Sequence, residues 1–187
     1  MVRSFDGTPV DPDWLDEMCA AALWAPSAGN SAGVRMHVIG SGLVGQYVEV
    51  ATDEEWRRTA RRAAGLRRAG AVVLVTSRPQ DYVERYAEPD KASSGLHERD
   101  AWPVPYWHAD AAMATMALLL LVEESDWQAT LWGNFRNAEA VLEWAGVADE
   151  VLFGAVLIGK GDGNDVPSSS LARSIPSRAS RVTRVEG

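Results

Sequence analysis

Cysteine is almost absent from this 187-residue sequence, which contains only Cys19. A disulfide within the chain is therefore impossible, and the sequence predicts a reducing, cytoplasmic location. Because Cys19 falls in a helical pattern of apolar residues, we interpret it as a small buried side chain rather than a nucleophile. The three histidines share no metal-ligand spacing, and no GxSxG follows a predicted strand and opens a predicted helix, as a nucleophile elbow requires. The sequence therefore predicts neither a metal site nor an acyl-transfer triad.

The sequence also lacks an excess of basic residues and a long apolar run. Lysine and arginine total 18 against 26 aspartate and glutamate, a formal charge of -8. This balance argues against nucleic acid or an anionic membrane as the main partner, and favours a small molecule or another protein. The longest apolar run, 109–122, contains Asp110 and is too short to span a bilayer. We predict one domain over 1–187, with an irregular C-terminal arm from about residue 160.

A glycine motif, GxGxxG at residues 40–45, follows a short apolar run. A dinucleotide-binding loop requires a helix that opens near the third glycine, and then a second strand that ends in an acidic residue. Residues 47–50 (YVEV) instead alternate like a strand, and a run of arginines follows. We therefore favour a hairpin turn between two short strands over a Rossmann phosphate loop.

The order of helical and strand patterns predicts an α+β fold, in which helices pack on a mixed sheet. The predicted helices cover 12–25, 53–64, 80–86, 107–124 and 137–144. The predicted strands cover 34–39, 47–50, 71–76, 127–133 and 151–159. The arginines of residues 57–68 could bind phosphates, but we favour a solvated helix face, since acids open that helix and bases follow.

Five segments carry a family resemblance: VRSFDGTPV, ALWAPSAGN, YAEPDK, WPVPYWHADAAMATMALLLL and TLWGNF. In this order they resemble the FMN-dependent nitroreductase family, especially its small actinobacterial branch, over roughly residues 3–159. The resemblance implies a dimeric α+β fold with two FMN molecules at the subunit interface. It also implies that the fold has no Rossmann phosphate loop.

The resemblance implies two groups of flavin contacts. One is a loop that the partner subunit contributes and that lies along the isoalloxazine and ribityl chain: Pro26, Ser27, Ala28 and Asn30. The other is Trp132 and Gly133, whose segment offers a backbone amide to the flavin nitrogen that accepts hydride. A glycine there allows close approach of the backbone.

The resemblance also implies cationic contacts. Arg3 matches a residue at the pyrimidine edge of the flavin, where a guanidinium would stabilise the reduced ring. Arg173 is the first candidate for the phosphate ligand, and Arg178 is the second. The chain departs from the family pattern in lacking an upstream arginine and serine, and in carrying Ala32 where a glutamine is usual.

The aromatic residues Trp102, Tyr106 and Trp107 lie in a proline-rich stretch. We predict that they form one wall of the acceptor pocket; the alternative is simple packing of this stretch against the core. The apolar helix 107–124 is predicted to lie in a homodimer interface, because it is apolar almost all round.

The resemblance implies an oxidoreductase that passes hydride from NAD(P)H through FMN to a flat, electron-poor acceptor, nitroaromatic or quinone-like, in a ping-pong cycle. The flavin supplies the chemistry, so no catalytic side chain is required. The alternative is a catalytically silent member of the family that binds flavin or a partner protein. A Rossmann dehydrogenase is a third interpretation.

Overall fold

The computed structural model describes residues 1–134 and 136–185. Four strands form one sheet in the order β1-β2-β4-β3. Their bounds are β1 (Val34–Gly40), β2 (Ala71–Ser77), β3 (Gln128–Trp132) and β4 (Val151–Gly159). The α-helices of the described residues are α1 (Pro12–Ala22), α2 (Ser41–Ala51), α3 (Glu54–Thr59), α4 (Ala63–Leu66), α5 (Pro79–Ala87), α6 (Tyr106–Glu123) and α7 (Ala138–Ala145).

Helix α1 begins where the sequence predicts. The Asp11 carboxylate accepts hydrogen bonds from the backbone amides of Asp13 and Trp14, and Pro12 occupies the first turn. Cys19 lies on the buried face of α1, as predicted. Burial raises the pKa of its thiol to about 12, with a smaller contribution from Asp16. At neutral pH the thiol is therefore protonated and unreactive.

The sheet separates two apolar layers, because alternate residues of a strand point to opposite faces. Strand β2 is buried along its whole length. Its residues Val72 and Leu74 pack with α2 and α7, whereas Val73 and Val75 pack with α1 and α6. The two layers divide the molecule into an α2/α7 face and an α1/α6 face.

The predicted hairpin after β1 is wrong. Residues 47–50 belong to α2, which begins directly after Gly40. The reason is the helical spacing of Val44, Tyr47, Val48 and Ala51, which places all four on one buried stripe against the sheet. A short apolar stretch fits the periodicity of a helix and that of a strand equally well, and burial against the sheet favours the helix here.

The Rossmann interpretation is also excluded. Strand β1 pairs directly with β2 in antiparallel register, with Val34 opposite Ser77 and Gly40 opposite Ala71. A Rossmann unit requires parallel neighbours joined by a crossover helix. The glycine motif thus starts a helix in a fold that is not of the Rossmann type.

The α+β class is confirmed, but the sheet is not mixed: every pairing among the described strands is antiparallel. The sequence shows where strands occur and not how they pair. The predicted helix 53–64 is divided into α3 and α4, since the chain leaves helical geometry at Ala60. After β4, the regular structure of the described residues 160–185 is limited to an isolated β-bridge from Gly161 to Phe5 and the short 3-10 turns Ser169–Ala172 and Ala179–Arg181. Residues 186 and 187 of the predicted arm, like residue 135, lie outside the described residues.

Candidate functional site

The loop of residues 26–32, hereafter the proline loop, has an unusual backbone. It contains the 3-10 turn Ala28–Asn30 and three residues in the left-handed region: Gly29 (φ 61°), Asn30 (φ 57°) and Ala32 (φ 49°). For residues other than glycine this conformation costs about 1–3 kcal/mol each and persists only where the surroundings fix it. Such strain is typical of ligand-binding loops.

Helices α5 and α6 fix this loop. The Asp110 carboxylate accepts hydrogen bonds through Oδ2 from the backbone amide of Ala28 and from the Tyr82 hydroxyl, both at 2.8 Å. Arg85 Nε donates to the carbonyl of Gly29 at 2.9 Å. Tyrosine rings occupy the space that a side chain would need at Gly29 and at Gly33. A Cβ added to Gly29 would lie 2.6 Å from the Tyr86 ring. The loop is therefore held rigidly before any ligand binds.

A cavity of about 410 Å³, the loop cavity, opens beside the proline loop on the α1/α6 face. Among its lining residues are Trp24, Pro26, Ser27, Asn30, Asp110 and Ala114. The Ser27 hydroxyl accepts a hydrogen bond from the amide of Ala32 at 3.2 Å. The structure thus brings three of the four predicted loop residues to one cavity, while the amide of the fourth, Ala28, is bonded to Asp110.

The other predicted group lines a different cavity of about 200 Å³, the tryptophan cavity. Its lining includes Trp132 and Gly133, at the end of β3, and Thr52, Asp53, Trp56 and Arg136. The rings of Trp56 and Trp132 stack with their centroids 5.6 Å apart and 26° between their planes. Stacked indoles make a flat apolar wall beside the predicted hydride-accepting position.

An ion pair closes one side of the tryptophan cavity. Asp53 Oδ2 lies 2.7 Å from the Arg136 guanidinium, and Asp53 Oδ1 accepts from the backbone amide of Trp56 at 2.7 Å. The backbone bond from Trp56, followed by Arg136, lowers the pKa of Asp53. The carboxylate therefore stays ionised, caps α3 and ties it to the segment after β3.

The two cavities are far apart in one chain. In register, Trp132 lies opposite Ala155, which lies opposite Leu74, which lies opposite His37. Three strand spacings of about 4.8 Å separate the two sheet edges by about 14 Å. Trp132 also packs on the α2/α7 face, whereas the loop cavity lies on the α1/α6 face. A single subunit thus presents the two predicted groups at opposite edges and on opposite faces.

Two arginines near α4, for which the sequence favoured a solvated helix face, line a third cavity. A cavity of about 320 Å³, the arginine cavity, is lined by Trp56, Ala60, Arg61, Arg62, Val166 and Pro167. Arg62 donates to the carbonyl of Val166 at 3.1 Å. Because Trp56 lines both this cavity and the tryptophan cavity, the guanidinium groups lie next to the flat wall. The break between α3 and α4, which the sequence did not predict, directs Arg62 away from a continuous solvated face.

The predicted cationic contacts occupy other positions. Arg3 is half-buried, and its backbone amide donates to Asp165 at 3.1 Å. Its carbonyl lies against α4, since a Cβ added to Gly65 would lie 2.7 Å from it. Arg173 and Arg178 are exposed in the C-terminal arm, and neither lines the three cavities described here.

The predicted aromatic wall is largely internal. Trp102 and Trp107 are buried and pack around Tyr82, with ring centroids 6.1 and 6.2 Å from it. Tyr106 is 43% exposed and lies 6.0 Å from Trp102. The burial of the two indoles favours the packing alternative for them, and this cluster supports Tyr82 behind the proline loop.

Comparison with known proteins decides the family. The model of the "Nitroreductase family" matches residues 1–160. The chain belongs to the nitroreductase family. This confirms the resemblance, and with it the expectation of an FMN-dependent NAD(P)H oxidoreductase. No curated protein matches the chain.

Solved structures of other proteins share this fold. The nitroreductase CinD from Lactococcus lactis, solved with nicotinic acid, superposes with a TM-score of 0.75 at 16% identity, covering 100% of this chain and 95% of CinD. A protein of Exiguobacterium sibiricum assigned as a nitroreductase, in complex with FMN, gives 0.67 at 16% identity, covering 94% and 88%. A protein of Staphylococcus epidermidis assigned as an NAD(P)H:FMN oxidoreductase gives 0.67 at 18% identity, covering 94% and 91%.

The described part of the chain has neither a membrane-spanning helix nor a cluster of metal ligands. Across residues 1–134 and 136–185, no helix combines the length and the apolar character needed to cross a bilayer. Within that same part of the chain, no cluster of three or more His, Cys, Asp or Glu side chains could hold a metal ion. His37, whose ring lies 2.7 Å from Glu150, is one of the histidines without a ligand cluster.

Proposed function

We propose that this nitroreductase-family protein transfers hydride from NAD(P)H to a flat, electron-poor acceptor, nitroaromatic or quinone-like, through FMN in a ping-pong cycle. The observation that carries the proposal is the division of the predicted flavin contacts between the loop cavity and the tryptophan cavity. Each subunit then offers half of two sites, and a second copy of the chain completes both.

The α1/α6 face supports a homodimer. Met113, Met116 and Leu120 of α6 are 40%, 53% and 54% exposed, and their spacing places them on one helical stripe. Trp24, which is 90% exposed, lies at the end of α1 and lines the loop cavity. An apolar surface of this kind is typical of a contact between subunits. The stripe and the loop cavity thus lie on the same side of the molecule.

The residues of the two cavities fit a flavin. The bound flavin would supply the hydride chemistry, accepting from the nicotinamide and donating to the acceptor. Gly133 permits close approach of the backbone to a ring, and Trp56 with Trp132 excludes water from one side. Arg61 and Arg62 offer positive charge to the phosphate or to the reduced ring.

The remaining predicted contacts fit around this arrangement. Arg3 belongs to the N-terminal segment that packs on α4, so we propose that it adds to the charge near the arginine cavity. Arg173, with Arg178 second, is proposed to reach the phosphate from the exposed C-terminal arm, where Leu171 and Ile175 are 78% and 66% exposed. An arm with exposed apolar side chains suits packing on a second subunit.

For the acceptor, we propose the tryptophan cavity of one subunit together with the Tyr106 side chain that the other subunit brings to it. The stacked indoles suit a flat ring, and Tyr106 is the exposed member of the predicted aromatic wall. Trp102 and Trp107 would act behind it as support. We also propose that the protein works in the cytoplasm, where its single buried thiol would remain reduced.

The test begins with the absorbance spectrum of freshly purified protein and a titration with FMN. We expect the absorbance bands of bound flavin and their bleaching by NADH or NADPH without oxygen. With a quinone acceptor, double-reciprocal plots of initial velocity should give parallel lines. Light scattering should give twice the mass of the 20.3 kDa chain. A colourless protein that FMN leaves colourless would refute the proposal and favour the silent, partner-binding alternative. Flavin that binds and is not bleached by either nucleotide would favour a flavin-storage role.

A further inference from the structure

Asp110 is a buried carboxylate with spare hydrogen-bonding capacity. It is 1% exposed, and Oδ2 accepts the two hydrogen bonds from Ala28 and Tyr82. The second oxygen, Oδ1, is buried and has no hydrogen-bond partner among the described residues. A carboxylate can accept about four hydrogen bonds, and a buried oxygen left without one is costly. The two bonds to Oδ2 therefore leave the hydrogen-bonding capacity of Oδ1 unused.

Asp110 also lines the loop cavity, together with Ser27 and Asn30 of the proline loop. We propose that Asp110 Oδ1 accepts a hydrogen bond from the flavin that the proline loop contacts, so that one side chain anchors the loop and binds the ligand. This inference rests on the proposed function.

The chemistry of a carboxylate restricts which part of FMN lies there. Oδ1 accepts and cannot donate, so it selects an O–H or N–H group. FMN offers the hydroxyls of its ribityl chain and the imide N–H of its ring. A phosphate would be repelled by the like charge, which places the phosphate away from Asp110 and is consistent with the separate arginine cavity.

A competing explanation lies one helical turn away. The Trp107 indole N–H is a buried donor without a partner in the described part of the chain. Since Trp107 and Asp110 are three residues apart on α6, they share a helix face. A water held between these two groups would satisfy both without any ligand.

The test compares Asp110→Asn with Tyr82→Phe. Asparagine keeps the shape and one carbonyl oxygen, which can still accept from Ala28 and Tyr82, but its amide group cannot accept at the Oδ1 position. Tyr82→Phe removes one bond to Oδ2 and leaves Oδ1 unchanged. The two variants thus separate loop anchoring from ligand binding. Melting temperatures establish that both fold.

Dissociation constants for FMN and for lumiflavin, which has a methyl group in place of the ribityl chain, are measured by quenching of flavin fluorescence. We expect Asp110→Asn to weaken FMN about tenfold, as for loss of one charge-assisted bond, and Tyr82→Phe, which loosens the loop anchor but keeps Oδ1, to weaken it by a smaller factor. Equal weakening of lumiflavin assigns the bond to the ring N–H, and unchanged lumiflavin binding assigns it to a ribityl hydroxyl. The midpoint potential of FMN bound to Asp110→Asn should rise, because a negative charge beside the reduced flavin is removed.

Asp110→Asn that binds both flavins like wild type, at an unchanged potential, would overturn the inference and assign Oδ1 to Trp107 and water. Wild-type protein that binds neither flavin would instead refute the proposed function. If Asp110→Asn does not fold, wild-type affinities for riboflavin, lumiflavin and N3-methyl-riboflavin provide the test. Lumiflavin lacks the ribityl hydroxyls and N3-methyl-riboflavin lacks the imide N–H, so one of these two flavins must bind about tenfold more weakly than riboflavin. Equal affinities for all three would overturn the inference.

Discussion

Gly29 offers a direct test of how rigidly the proline loop is held. A Cβ added there would lie 2.6 Å from the Tyr86 ring, at a residue whose φ is +61°. An alanine in the left-handed region costs about 1–2 kcal/mol. Displacement of a packed ring adds about 1–3 kcal/mol. We therefore expect Gly29→Ala to destabilise the protein by about 2–5 kcal/mol.

The matched control is Gly95→Ala. Gly95 also has a positive φ, +74°, but nothing lies within 4 Å of its added Cβ. Only the backbone cost of about 1–2 kcal/mol should appear there. At about 2–4 °C per kcal/mol for a chain of this length, Gly29→Ala should melt several degrees below the control.

Flavin affinity gives the second assay. Gly29→Ala should bind FMN more weakly than wild type, because the shifted Tyr86 ring displaces the loop, and Gly95→Ala should bind normally. If the two variants melt within about one degree of each other, the Tyr86 contact contributes less than about 0.5 kcal/mol. The argument that this ring fixes the loop would then be refuted.

The other predictions concern charge and assembly. Arg62→Gln should weaken FMN binding about ten- to a hundredfold, as for a lost charge-assisted bond, and Arg58→Gln, on the exposed side of α3, should not; equal effects in a fluorescence titration would contradict the role of the arginine cavity. Met116→Glu, on the exposed stripe of α6, should convert the dimer to monomer in light scattering, and an unchanged mass would place the interface elsewhere. Asp53→Asn should lower the melting temperature at pH 7. The pKa of Asp53 is lower in the folded than in the unfolded protein, so its ionised carboxylate stabilises the fold above the unfolded pKa of about 4, and this stabilisation is lost as the pH falls through the folded-state pKa. The melting temperatures of wild type and Asp53→Asn should therefore converge in acid. A difference that does not depend on pH would contradict this.

Local sequence signals predicted the helices and strands whose ends are marked by residues close to them in the chain. The cap formed by Asp11 and Pro12 marks α1, and the unbroken apolar run of β2 marks a central strand. The predicted apolar helix 107–124 agrees with α6 to within one residue at each end, although the sequence did not predict its capping residue. In each case the physical cause lies within a few neighbouring residues.

The errors arose where distant residues decide. The stretch Tyr47–Val50 fits both a strand and a helix, and only the sheet beneath it selects the helix. The bond from Arg62 to Val166 joins residues 104 positions apart, so no local pattern shows that this guanidinium lines a cavity. Trp102 was predicted on a pocket wall because its loop is proline-rich, yet Tyr82 and Tyr86 provide an apolar environment that buries it.

The burial of these indoles has a structural consequence. Tyr82, Trp102 and Trp107 line neither the loop cavity nor the tryptophan cavity, but their cluster supports the hydroxyl that bonds to Asp110, and Asp110 bonds to the strained loop. Burial raises the pKa of Tyr82, and the bond to Asp110 raises it further, so this hydroxyl remains a donor throughout the physiological range.

The proposed division of the flavin site between two subunits would couple assembly to cofactor binding. If each flavin touches the loop cavity of one subunit and the tryptophan cavity of the other, a monomer offers only half of the contacts at either place. FMN must then stabilise the dimer over the monomer by the full free energy of the contacts from the second subunit, and dilution must weaken FMN binding by the same amount. In that arrangement a rigid proline loop would make the coupling efficient, because the second subunit would present an already ordered surface and little ordering entropy would be lost.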